Sequence, residues 1–106
     1  MAGISRSERE QRPDKPRGLK AAGTRLWESI IEEFDLDTDP DKVEILRHAC
    51  RVSDIIAELE QAATKEPTIV LGSARQKTIN PLISEARFQR ALLMQLLTRL
   101  GFEDQV

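Results

Sequence analysis

Three short stretches of the sequence carry the residue types that phosphate binding, metal binding or nucleophilic catalysis requires. The first begins at Gly72 and ends in Lys77-Thr78, as a phosphate-binding loop does. Such a loop needs a glycine directly before the lysine, where Gln76 stands, and this stretch is one residue too short. It therefore predicts a turn, and we expect the chain to have no ATPase activity.

The second stretch holds Asp35, Asp37 and Asp39 at the alternating spacing with which calcium loops begin. A calcium loop places glycine at its sixth position and glutamate at its twelfth, which here are Pro40 and Leu46. The aspartates instead suit the positive N-terminal end of a following helix. We expect no metal site here.

The third stretch contains His48, the only histidine, and Cys50, the only cysteine. Two residues apart on a helix, these side chains point roughly 200° away from each other, so they do not share a metal ion. Cys50 also falls in an apolar seam, where a thiol stays neutral and buried and does not act as a nucleophile. The chain is therefore predicted to be non-enzymatic, with no metal and no cofactor.

Length and composition favour a small helical protein. With 106 residues the chain forms one domain at most, and we expect a thin core. Aromatic residues make up only 4%, so the apolar content is mostly Leu, Ile, Ala and Val, which favours helices. The lone cysteine fits a reducing compartment, and no apolar run is long enough to cross a bilayer. We expect a cytoplasmic protein with neither a signal peptide nor a membrane span.

The net charge of −2 conceals two parts of opposite sign. Residues 1–20 hold six basic and three acidic side chains, which gives +3, and the remainder holds ten basic and fifteen acidic, which gives −5. Residues 1–18 show no apolar periodicity, so we predict a flexible basic arm. Such an arm can condense on phosphates, but a mixed-charge segment with Pro13 and Pro16 is equally typical of a solvated terminus.

Apolar periodicity predicts two helices in the first half of the body. One covers roughly residues 20–34, with Trp27 on its apolar face as a core anchor. The next begins at Pro40 with Thr38 or Asp39 as its cap, and its apolar residues step by three and four up to about Lys65.

A β-hairpin and a third helix follow. Apolar stretches on either side of the Gly72 turn predict a hairpin at about residues 68–79. Asn80-Pro81 is a strong helix start, and Gly101 is placed for the left-handed residue that ends a helix. The fold class is therefore mainly α, with three helices and a short hairpin between the second and third. The folded body spans residues 19–102, and residues 103–106 form a mobile tail.

Apolar residues cover roughly half the circumference of the third helix, more than one neighbouring helix can bury. In a chain this short, self-association is the natural way to bury the excess. We therefore predict an oligomeric ring in which the second and third helices pack partly against other copies. The predicted interface residues are Ile56, Leu59, Leu92, Leu93, Leu96, Leu97 and Leu100.

Basic residues lie both in the arm and on the second helix, and a ring would repeat them around the assembly, which multiplies a weak affinity for phosphate. We expect a ligand that carries many phosphates, with the arm making most of the phosphate contacts. On the second helix, Lys42, Arg47 and Arg51 are expected to lie near one another. The predicted DNA-binding residues are Arg6, Arg9, Arg12, Lys15, Arg17, Lys20, Lys42, Arg47 and Arg51.

From about Gly18 to Phe102 the sequence resembles the small terminase subunits of tailed phages. The likeness rests on a tryptophan-bearing helix, an Ala-Cys helix, a Gly-Ser turn, an Asn-Pro helix start and a Leu-Gly-Phe end. It departs from the family at Arg75 and Gln76, where another glycine is usual, and it lacks a clear helix-turn-helix. The residues that carry it are Leu19, Ala22-Gly23, Leu26-Trp27, Leu46, Ala49-Cys50, Asp54, Asn80-Pro81-Leu82, Glu85, Arg87, Leu96-Leu97 and Leu100-Gly101-Phe102.

The resemblance implies a non-catalytic ring that binds viral DNA and presents it to a large terminase subunit, which carries the ATPase and nuclease, in the host cell cytoplasm. Residues 103–106 are either a contact segment for that partner or a frayed end. A helical protein-interaction adaptor or antitoxin-like regulator would explain the composition equally well.

Overall fold

The computed structural model describes residues 13–34, 39–72 and 76–101. They form helix α1 (Ala21–Glu33), helix α2 (Pro40–Ala63), strand β1 (Ile69–Leu71), strand β2 (Lys77–Ile79) and helix α3 (Pro81–Arg99). The predicted fold class, three helices with a hairpin between the second and third, is confirmed.

Helix α2 is the centre of the fold, because both α1 and α3 pack against it. Arg90 in the middle of α3 forms an ion pair with Glu60 near the end of α2. Leu100, further along the chain, belongs to the same buried cluster as Val43 and Leu46 in the first half of α2. The two helices are therefore antiparallel.

The core is small and lies where the end of α3 meets α1 and the first half of α2. Leu46 and Cys50 are fully buried, and the cluster around them is completed by Trp27, Ile30, Val43 and Leu100. Trp27 is only 4% exposed, which confirms it as a core anchor.

The predicted start and stop signals sit where expected. The Asp39 side chain accepts a hydrogen bond from the Lys42 amide at 3.2 Å, directly before Pro40. Thr38, the alternative cap, lies outside the described residues. Gly101 has φ +80°, the left-handed conformation that ends a helix without steric cost.

Strands β1 and β2 form a two-stranded antiparallel sheet in which Ile69 faces Ile79 and Leu71 faces Lys77. The Gly72 amide donates a hydrogen bond to the carbonyl oxygen of Gln76 at 2.7 Å and closes the turn, whose residues 73–75 lie outside the described part of the chain. Lys77 and Thr78, which ended the phosphate-loop-like stretch, belong to β2.

Candidate nucleic-acid interface and assembly surface

The N-terminus of α1 is capped by a side chain from another helix. Lys20, its own N-cap residue, provides no side-chain hydrogen bond. Instead the buried carboxylate of Asp54 on α2 accepts a hydrogen bond from the Lys20 amide and a second from the Gly23 amide, each at 2.8 Å. These bonds satisfy two of the backbone donors that a helix start leaves free, and they place a negative charge at its positive end.

Close approach of α1 to α2 makes this cap possible. A Cβ atom at Gly23 would lie 2.6 Å from the carbonyl oxygen of Cys50 and 2.7 Å from Oδ2 of Asp54. Only glycine fits at that crossing. Gly23, Cys50 and Asp54 therefore form one packing unit, which we call the α1–α2 lock.

The α1–α2 lock fixes the N-terminal end of α1, and the basic segment before it continues along the body. Outside the lock, the Lys20 ammonium pairs with Glu58. Pro16 is buried, and Arg47 donates a hydrogen bond to the carbonyl oxygen of Asp14 at 3.5 Å. Residues 13–20 therefore lie against the body, and the described end of the predicted arm runs beside Arg47.

This arrangement brings together two groups of basic residues that are far apart in sequence. Lys15, Arg17 and Arg51 are exposed, and none of them has an ion-pair partner among the described residues. Arg47 is half-buried and pairs with Glu44 at 3.1 Å. We call Lys15, Arg17, Arg47 and Arg51 the basic surface.

Other predicted DNA-binding residues lie elsewhere. Lys42 does not join the basic surface, because the nine helical steps from Lys42 to Arg51 turn an α-helix by about 180°. The expectation that these two residues lie near each other is therefore wrong. Lys20 is engaged with Glu58. Arg6, Arg9 and Arg12 lie outside the described residues.

The residues predicted to contact other copies of the chain differ in how deeply they are buried. Ile56 and Leu100 are 8% and 4% exposed, so the structure places them inside the subunit's own core. Leu97 packs against that core, and Leu59, Leu93 and Leu96 are half-buried. Leu92 is 41% exposed.

Sequence reasoning missed the most exposed apolar side chain near Leu92. Phe88, one turn before Leu92 on α3, is 72% exposed, and Ile55 on α2 is 40% exposed. Counting Phe88 among the apolar residues of α3 would have revealed it, because residues four apart share a helix face.

These side chains lie on one side of the α2–α3 pair. The Glu60–Arg90 ion pair marks one side of the α2–α3 pair. At 100° per residue, Phe88 and Leu92 lie about 160° from Arg90, and Ile55 and Leu59 lie about 140° and 100° from Glu60. All four therefore project from the opposite side of the helix pair, and we call them the apolar flank.

Cys50 is buried, as the sequence predicts. Burial, with the charge of Asp54 adding to it and that of Arg51 opposing it, raises the pKa of the Cys50 thiol from 9.0 to about 12. A thiol in this state is a poor nucleophile at neutral pH. His48 is exposed beside Glu44, with 3.8 Å between Nε2 and the carboxylate.

Among the described residues, histidine, cysteine and carboxylate side chains form no group that could hold a metal ion. In the same part of the chain, no helix combines the length and apolar character needed to cross a membrane.

Comparison with known proteins gave no relatives: no family model, curated protein or solved structure matches the chain. The basic surface and the apolar flank therefore carry the functional argument.

Proposed function

We propose that the chain is a non-catalytic small terminase subunit, which assembles with itself, binds duplex viral DNA and presents it to a large terminase subunit in the host cytoplasm. The proposal combines a DNA-binding surface with a self-assembling body.

The observation that carries the proposal is the juxtaposition of the end of the arm with α2. Arg47 contacts the backbone at Asp14, which brings the segment that carries Lys15 and Arg17 to the part of α2 that carries Arg51, and these three exposed cations have no ion-pair partner among the described residues. Cations without a protein counterion release salt ions from DNA when they meet phosphates, and repetition around an assembly multiplies the effect.

The residues that carry the resemblance to small terminase subunits also have structural roles. Gly23 and Asp54 form the α1–α2 lock, Trp27 anchors the core, and Asn80 caps α3. A set of residues with such roles is what a shared fold would preserve, and this supports the resemblance as a guide to function.

Binding to duplex DNA across a range of salt concentrations tests the proposal. Removing Z phosphate contacts lowers the slope of log affinity against log salt by about 0.9Z. Lys15→Gln/Arg17→Gln/Arg51→Gln should therefore flatten the slope by roughly 2 to 3 and weaken binding of all duplex sequences alike. The matched control is Arg25→Gln/Lys65→Gln/Arg87→Gln, which removes three exposed cations outside the basic surface.

Equal slopes for the two triple variants would contradict the basic surface as the DNA site. A wild-type protein that does not bind duplex DNA at low salt would contradict the function itself.

The proposed interaction with a large terminase subunit is tested separately. The chain should alter the ATPase rate of a large terminase subunit while hydrolysing no ATP alone. ATP hydrolysis by the purified chain that disappears in Lys77→Ala would contradict the non-catalytic assignment.

A helical interaction adaptor is the second candidate, and the exposed apolar flank is the observation that favours it. Such a protein would bind a partner protein through Phe88 and Leu92 and would ignore DNA. The salt titration separates the two candidates.

A further inference from the structure

The hairpin carries a second exposed apolar surface. Side chains alternate along a strand, and opposite residues of an antiparallel pair share a face, so Ile69, Leu71, Lys77 and Ile79 project from the same side. Ile69, Leu71 and Ile79 are 49%, 67% and 38% exposed. We call these four residues the hairpin face.

An isolated two-stranded hairpin is marginally stable in water, so its apolar side chains need a cover. The described residues of the same chain do not supply one. The backbone and side chain of Asn80 bond to the carbonyl oxygens of Thr68 and Pro67 at 2.8 and 3.0 Å, which holds the hairpin at the start of α3. The hairpin face and the apolar flank are thus exposed at separate places on one subunit.

The charged residues beside the two surfaces are complementary. Lys77 is exposed in the hairpin face and has no ion pair among the described residues. On α3, Glu85 lies within about 60° of Phe88 and Leu92 around the helix axis. Its carboxylate accepts a hydrogen bond from Gln89 at 2.8 Å but meets no cation in the described part of the chain.

We propose that the hairpin face of one subunit packs on Phe88 and Leu92 of the next, with Lys77 paired to Glu85 across the contact. The inference rests on the proposed self-assembly and names its interface. A hairpin-to-hairpin contact would bring Lys77 against Lys77, and an α3-to-α3 contact would bring Glu85 near Glu85. Only the head-to-tail arrangement pairs opposite charges.

Unless two subunits make this contact reciprocally, it leaves one surface of each kind free at the ends of a dimer, and further subunits add until a ring closes or a filament forms. The hairpin would then gain its missing cover from the neighbouring subunit. Desolvation at the edge of an apolar contact strengthens an ion pair. The pairing of opposite charges also fixes the register of the two surfaces.

Charge reversal tests the pairing. Lys77→Glu and Glu85→Lys should each shift the sedimentation profile towards the 12.0 kDa monomer, and the double variant should recover the wild-type assembly. Lys65→Glu/Glu66→Lys, a reversal of two exposed charges outside both surfaces, is the control and should assemble like the wild type. A double variant that is no better assembled than the single variants would overturn the ion pair.

Mixing two blocked subunits tests whether the contact joins the hairpin face of one subunit to α3 of another. Leu71→Asp disables the hairpin face and Phe88→Asp disables the α3 side, and both positions are exposed, so both variants should fold with wild-type circular dichroism. Each variant alone should be monomeric. An equimolar mixture has one intact contact and should stop at a dimer.

The outcomes are distinguishable. If the wild type assembles and either variant assembles equally well, this interface is wrong but the proposed function stands. If the wild type is monomeric at micromolar concentration, proposed function and interface both fail.

Discussion

The buried carboxylate of Asp54 caps α1 from another helix. It lies 34 and 31 residues further along the chain than Lys20 and Gly23, whose amides it binds. The sequence predicts where α1 and α2 lie, but it could not reveal this role. A capping residue is normally recognised because it directly precedes its helix, and Lys20, which precedes α1, has no capping side chain.

We expect Asp54→Ala to lower the free energy of unfolding by about 2 to 4 kcal/mol, because it leaves two amides at a helix start without their charged acceptor. Asp54→Asn should cost less, since one acceptor oxygen remains. Urea denaturation measures both. Asp41→Asn, which removes an exposed carboxylate in the first turn of the same helix, should cost no more than about 1 kcal/mol.

Cys50 gives a prediction with a definite sign. Its thiol has a pKa of about 12 in the folded state and 9.0 as its ordinary value, so between these values the unfolded chain releases a proton that the folded chain keeps. Stability contributed by the neutral thiol is thus fully present below pH 9 and is lost as pH rises towards 12, at most about 1.4 kcal/mol per pH unit.

Comparing the wild type with Cys50→Ala in urea denaturation at pH 8 and pH 10.5 isolates this effect. The stability difference between the two proteins should shrink at the higher pH. A difference that stays constant would show that the thiol titrates alike in both states.

At the scale of elements, most of the fold could be predicted because its signals are local. Apolar periodicity defined the three helices, and Asn80-Pro81 and Gly101 marked the ends of α3. The positions of side chains around each helix axis were predicted less well. Which side of a helix is buried depends on the helices that pack against it. The misplacement of Lys42 and the omission of Phe88 have a simpler origin, because the 100° step of a single helix already separates Lys42 from Arg51 and places Phe88 beside Leu92.

Asn80 joins two elements, and its two roles can be separated. Its side-chain oxygen accepts the Leu82 amide at 2.9 Å, which caps α3, and its side-chain nitrogen donates to Pro67 at 3.0 Å, which holds the hairpin. Asn80→Asp keeps the cap but sets a carboxylate against the Pro67 carbonyl oxygen. Asn80→Ala removes both bonds.

We expect hydrogen exchange to speed up in β1 and β2 in both Asn80 variants, with the first turn of α3 affected only in Asn80→Ala. The loss of the cap should also cost Asn80→Ala about 1 kcal/mol of stability. Unchanged exchange in the hairpin of Asn80→Asp would show that the Pro67 bond does not hold it.

The whole molecule separates charge of opposite sign, a basic segment against an acidic body. Composition alone revealed this split. It could not reveal that residues 13–20 lie on the body, because that placement depends on the burial of Pro16 and on the Arg47 contact.

Two truncations divide the arm accordingly. Starting the chain at Pro13 removes three arginines and should lower the salt slope of DNA binding by roughly 3, and starting it at Gly18 should lower it by about 2 more, as Lys15 and Arg17 are lost. Fluorescence anisotropy at several salt concentrations measures each step. If the protein that starts at Gly18 keeps the full affinity and salt slope, the arm does not contribute to DNA binding. Arg47 and Arg51 then become the candidate DNA-binding residues.

The α1–α2 lock also dictates an order of folding. Helix α1 has 13 residues and no local cap, too little to be stable alone in water. Asp54 can satisfy its first amides only after α2 has formed, so α1 should consolidate late, with φ-values near zero for Gly23 beside higher values within α2. The segment that is proposed to bind DNA would then be the last part of the chain to take its place.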